Sequence, residues 1–167
     1  MSNSKNQTTL TNEDAIFSEY DEVYSVKTSS KQKYCKIIGE RLFKLSKGVS
    51  EYLQIGEEDI GRNSVPCANL LIKEGKKEFV VIKQPRKYSC KFSGNVNSVE
   101  IYNAPFAKRI FESLGKKFIA SGTVSFTKIV FEETETGHPY IIVKYDDYKA
   151  APGVLTDLQT DITKGDN

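Results

Sequence analysis

Arg41-Leu42-Phe43-Lys44-Leu45-Ser46 alternates apolar and polar side chains, the period of a half-buried strand. Lys47 to Ile55 follows as a short helix. Val49, Tyr52 and Leu53 share one of its faces, Ser46 is placed to cap it, and Gly56 to end it. Asn69–Lys73 and Glu78–Lys83 then read as a hairpin around Gly75. The order recurs further on. Ser98–Tyr102 alternates as a strand, and Pro105 to Leu114 reads as a helix with proline in its first turn and Gly115 as its stop. Val124–Phe131 and Tyr140–Lys144 read as a hairpin around Gly137. One such unit cannot bury both faces of its sheet alone, so two are expected to share a core. The expected fold is α+β and mostly β: two strand-helix-hairpin repeats, at about 34–92 and 96–148, in a single globular domain over 12–150.

Outward from the repeats, Tyr34–Ile38 reads as a strand turning at Gly39-Glu40 into Arg41–Leu45, and Gly94–Asn97 as the junction between halves. Pro85 marks Lys83–Phe92 as an edge or connector. Asn12 is placed to cap an N-terminal amphipathic helix, with Glu13 and Asp14 in its first turn. Ile16, Phe17, Tyr20, Val23 and Tyr24 follow at helical spacing. Residues 1–11 are expected to be a disordered tail and 151–167 an acidic one.

Hydrophobic residues make up 38% of the 167 and charged residues 28%, a balance that fits a globular protein and excludes a low-hydropathy disordered chain. No run approaches the roughly 18 apolar residues of a membrane helix, and Met1–Thr11 lacks the apolar core of a secretory signal. A cytoplasmic protein is expected, with no membrane partner. Cys35, Cys67 and Cys90 are odd in number and widely spaced, which argues against disulfides. With His138 as the single histidine, beside Gly137 and Pro139 in a turn, no zinc site and no cofactor are expected. The net charge of +2 is segregated: residues 1–23 carry −4 and residues 145–167 carry −3, which leaves +9 on residues 24–144. A basic body suits an anionic partner.

Catalytic chemistry is poorly provided for. A lone histidine in a turn nearly excludes Ser-His-Asp and Cys-His arrangements, and the glycines are scattered rather than gathered in a phosphate loop. Asp59 with Glu74-Gly75-Lys76 is the one string like those of metal-dependent nucleases. It reads as a hairpin tip rather than a strand that aims both side chains inward, so no enzyme is expected. The basic residues carry more. Lys27, Lys31, Lys33, Lys36, Arg41, Lys44 and Lys47 lie before and along the first opening strands, and Lys83, Arg86, Lys87 and Lys91 are interleaved with Tyr88 and Phe92. Lysine and arginine gain affinity for phosphate backbones by counterion release, and aromatic rings stack on unpaired bases.

Ser46-Lys47-Gly48-Val49-Ser50-Glu51-Tyr52-Leu53-Gln54-Ile55-Gly56-Glu57-Glu58-Asp59 resembles the core of the AbrB/MazE/SpoVT swapped-hairpin DNA-binding module. Lys47, Val49, Leu53, Ile55 and Asp59 match its pattern in register, while Ser46 stands where the family has proline and Gln54 where it has glycine. The resemblance implies interleaved hairpins, as in swapped-hairpin folds or the related double-psi barrels, dimerisation in many members, and DNA contact through Arg41 and Lys47. The expectation is therefore a non-enzymatic DNA-binding protein, such as a small transcriptional regulator. Its phosphate contacts would be Arg41, Lys44, Lys47, Arg86, Lys87 and Lys91, and its partner duplex DNA, or a single strand stacked on Tyr88 and Phe92. The alternative is a protein-interaction module (an inhibitor, immunity protein or assembly factor) using an aromatic surface.

Overall fold

The computed structural model describes residues 32–158. The expected tail at 1–11, the helix after Asn12 and the end of the acidic tail lie outside the described residues. Among the described residues, two α-helices and twelve strands follow one another as β1 (Cys35–Ile38), β2 (Leu42–Leu45), α1 (Lys47–Tyr52), β3 (Ala68–Lys73), β4 (Glu78–Lys83), β5 (Ser93–Asn95), β6 (Ser98–Tyr102), α2 (Ala104–Ser113), β7 (Lys116–Phe118), β8 (Thr123–Phe126), β9 (Ile129–Glu133), β10 (Pro139–Lys144), β11 (Tyr148–Ala150) and β12 (Leu155–Asp157). The described chain is α+β and mostly β.

Two antiparallel sheets form the frame. A six-stranded sheet has the order β11-β8-β1-β2-β6-β5, and a four-stranded sheet the order β3-β4-β10-β9. In the first, β2 pairs with β6, with Lys44 opposite Glu100. In the second, the two hairpins meet through β4 and β10, with Val80 opposite Ile142. Alternation turns Cys35, Ile37, Phe43, Leu45, Val99, Ile101, Val124 and Phe126 of the first sheet inward, and Phe79, Val81, Ile141 and Val143 of the second. Phe79 is the hub between them. Its ring lies 5.8 Å from Phe43, 6.0 Å from Phe106 of α2, and 6.1 Å from both Phe126 and Tyr145. Edge-to-face rings at such distances add about 1 kcal/mol each to area burial. Because the inner faces meet there, the outer faces of the two sheets point away from each other.

The helix ends depart slightly from the sequence reading. Asn103 caps α2, its side chain accepting from the Phe106 N–H at 3.1 Å, and Gly115 follows at φ 72°. Ser46 caps α1 and also accepts from the Tyr34 N–H at 3.0 Å, which ties the helix to the start of β1. However, α1 stops at Tyr52, not Ile55. The chain turns at Gln54, with φ 61°, which lets both Leu53 and Ile55 point into the core.

Two larger corrections concern the second half. Val124–Phe131 is not one strand. Val124 and Phe126 face the core, and Ile129 and Phe131 also pack toward it, so the inward positions slip by one residue at Thr127-Lys128. In a continuous strand that slip would put one pair outside. The chain breaks instead: β8 pairs with β1, and β9 with β10. The segment from 151, expected to be an acidic tail, carries β12, which pairs with β7. Val154 and Leu155 supply its apolar anchor, and Lys116 Nζ meets Asp157 Oδ1 at 2.5 Å.

Candidate nucleic-acid interface

The outer face of the six-stranded sheet carries a straight cross-strand row. Lys149 lies opposite Ser125, Ser125 opposite Lys36, Lys36 opposite Lys44, Lys44 opposite Glu100, and Glu100 opposite Ser93. Strand alternation explains it, since these residues neighbour inward ones: Ile37 beside Lys36, Phe43 and Leu45 beside Lys44, Val124 and Phe126 beside Ser125, all buried, and the half-buried Tyr148 and Ala150 beside Lys149. Lys36 and Lys44 are directly opposed like charges, an arrangement that costs a sheet a few tenths of a kcal/mol or more. Lys36 Nζ sits 4.6 Å from the Tyr34 ring. The adjacent outer row runs Thr123, Ile38, Leu42 and Tyr102, with Tyr102 58% exposed. Arg41 is exposed in the turn that opens β2, and Lys47 follows the strand's far end at the start of α1.

The other sequence-predicted residues lie elsewhere. Arg86, Lys87 and Tyr88 leave β4 on the opposite side of the molecule, where they line a groove of about 550 Å³ with Asn69, Leu71 and Ile82. Tyr88 is 84% exposed, with Lys87 Nζ 5.3 Å from its ring. Lys91 donates to the Arg62 carbonyl at 2.6 Å, at the loop before β3. The seven predicted residues thus divide. Arg41, Lys44 and Lys47 follow β2; Arg86, Lys87 and Tyr88 rim the groove; Lys91 stands apart. Phe92 is no stacking platform, because it is 1% exposed and belongs to the core. The sequence reading counts Lys36 among the basic residues of the opening strands but not among the phosphate contacts, and it leaves Lys149 out altogether. The alternation of Cys35-Lys36-Ile37 signals the first. Nothing signals the second, because Lys149 reaches the row only through the pairing of β11 with β8.

The nuclease-like string is dispersed. Asp59 accepts from Lys83 Nζ at 3.0 Å and from the Gly56 N–H at 2.8 Å. Glu74 pairs with Arg109 at 2.8 Å, which holds that guanidinium above its usual range. Lys83 ends β4 and Glu74 precedes its start, so roughly 16 Å of strand separates the two carboxylates. Among the described residues no group of three His, Cys, Asp or Glu side chains is arranged to hold a metal ion, and no helix is long and apolar enough to cross a membrane. The three thiols are unpaired, and burial pushes Cys35 up to about 12.

In comparisons with known proteins, no family model, no curated protein and no solved structure matches the chain.

Proposed function

We propose that this is a non-enzymatic DNA-binding protein, of the kind a small transcriptional regulator would be. It docks the outer face of its six-stranded sheet on the phosphate backbone of duplex DNA. The observation that carries the proposal is the row Lys149–Ser125–Lys36–Lys44. Like-charged side chains held side by side repel one another, and a polyanion turns that cost into attraction while releasing its counterions. Arg41 and Lys47 extend the basic line along β2, and the hydroxyl of Ser125 offers a neutral phosphate contact. Splayed bases could instead stack on Tyr102, so a single strand is the lesser partner.

Two further readings accompany it. The two halves are proposed to be copies of one strand-helix-hairpin unit of the swapped-hairpin or double-psi kind. The central pairings of β2 with β6 and β4 with β10 support this, as each joins equivalent strands of the two halves. So does Gln54, which takes up a left-handed backbone where the swapped-hairpin pattern has glycine. The three free thiols suit a reducing cytoplasm.

Charge reversal of the row tests the function. Lys36→Glu with Lys44→Glu should weaken binding to a fluorescent duplex by roughly 100-fold at low salt, and should reduce the slope of log K against log salt by about 2. Binding indifferent to both changes would refute the assignment. A second reading, a protein-interaction module, is favoured by one observation: the apolar outer face of the four-stranded sheet, with the highly exposed Tyr88 at its rim.

A further inference from the structure

We propose that the outer face of the four-stranded sheet is the docking site of the chain's own N-terminal segment, residues 12–24. That face carries an unbroken apolar row in which Leu71 lies opposite Val80, Val80 opposite Ile142, and Ile142 opposite Val130. Ile82 and Tyr140 stand side by side in the next row. None of the six packs against the core, and Leu71 is 58% exposed. An antiparallel sheet with one solvated face normally alternates to polar residues there, so a four-strand apolar row marks a surface that something covers.

The described chain begins at the β9 edge of this sheet. Lys33 Nζ lies 5.6 Å from the ring of Phe131, which turns to the core side of β9, so only that edge separates it from Val130 on the outer side. The nine residues from Tyr24 to Lys33 reach about 30 Å when extended, whereas four strands span only about 14 Å from first to last. Residues 12–24 as a helix would be about 20 Å long, enough to cross all four strands. Ile16, Phe17, Tyr20, Val23 and Tyr24 fall at i, i+1, i+4, i+7 and i+8, one apolar stripe to meet one apolar row. Charge agrees as well. Glu13, Asp14, Glu19, Asp21 and Glu22 flank the stripe; Lys73, Arg86, Lys87 and Lys144 rim the face, outnumbering Glu78, which pairs with Lys144, and Glu132 beside Tyr140. The segment thereby covers the groove at Tyr88 and leaves the basic row of the other sheet open.

Photo-crosslinking in the full chain tests this. A benzophenone amino acid in place of Phe17 should, on irradiation, form adducts with β3, β4, β9 or β10 of the same molecule. Mixing isotopically light and heavy chains separates these from adducts between copies. Adducts only between copies would make a second chain the occupant, and adducts on β1, β2 or β6 would put the segment on the basic sheet; either overturns the proposal. As an independent readout, Phe17→Asp with Tyr20→Asp should raise binding of an apolar-surface dye several-fold at unchanged thermal stability of the sheets. Dye binding already high in the unaltered chain and unmoved by the substitutions would leave the face to a foreign partner and overturn it too.

Discussion

The middle row of the six-stranded sheet reads Lys149, Ser125, Lys36, Lys44, Glu100, and that of the four-stranded sheet reads Leu71, Val80, Ile142, Val130. Both rows ride on strands whose inner residues are apolar and buried, and both are anchored by the same cluster of rings around Phe79. Their outer chemistry is opposite. Inward residues answer to the shared core and therefore resemble each other. Outward residues answer to whatever lies against them, and the two proposals give them different partners: a polyanion on one side, an apolar stripe on the other.

The largest effect that sharpens this contrast should come from the layer between the faces. Phe79→Ala should cost about 3–5 kcal/mol in chemical denaturation, because it opens a cavity under both sheets. DNA binding and coverage of the apolar face should fail together; survival of either alone would mean that the sheets do not depend on one core. Next come neighbours on one strand. Val81→Ala, inside, should cost about 2 kcal/mol, and Val80→Ala, outside, roughly half of that or less. Equal costs would mean that the outer face is already packed as tightly as the core. Gln54→Gly should raise stability by about 0.5–1 kcal/mol, since glycine adopts a positive φ without the steric cost of a Cβ. A loss would tie the glutamine side chain to some contact of its own.

The smallest effect is titration at the edge of the apolar face. Glu78 accepts from Lys144 Nζ at 2.6 Å, and that hydrogen bond holds its carboxyl below the usual range. The folded value is lower than the unfolded one. The contribution is therefore complete above the unfolded value of about 4.3 and is lost as pH falls through the depressed folded value. Being partly exposed, the pair should contribute no more than about 1 kcal/mol. Lys144→Met should flatten this acid limb of the stability profile and leave neutral pH little changed; an unaltered limb would mean that other carboxylates set it.

Much of the frame was legible in the residues. Alternation marked β2, β4, β6 and β10, and Pro105 with Gly115 bracketed α2 to within a residue. The odd spacing between Phe126 and Ile129 held the signal for the strand break, but a continuous run of β-formers hid it. The strands β7, β11 and β12 were not legible, because three residues carry too little pattern; pairing and a few apolar anchors hold them. The basic site was half legible for a related reason. Arg41, Lys44 and Lys47 are near in sequence and follow one strand, but Arg86 and Lys87 are equally basic and fall on the other side. Lys36 and Lys149 lie more than a hundred residues apart and share a row only because β8 pairs with both β1 and β11.

The contrast between the faces is tested most directly by fluorescence anisotropy of labelled duplex DNA across a salt series, with two charge-reversed proteins compared side by side. Lys36→Glu with Lys44→Glu should weaken binding roughly 100-fold and flatten its salt dependence, while Arg86→Glu with Lys87→Glu should change affinity by less than about threefold. The reverse pattern, with the groove pair indispensable and the sheet pair dispensable, would contradict the account.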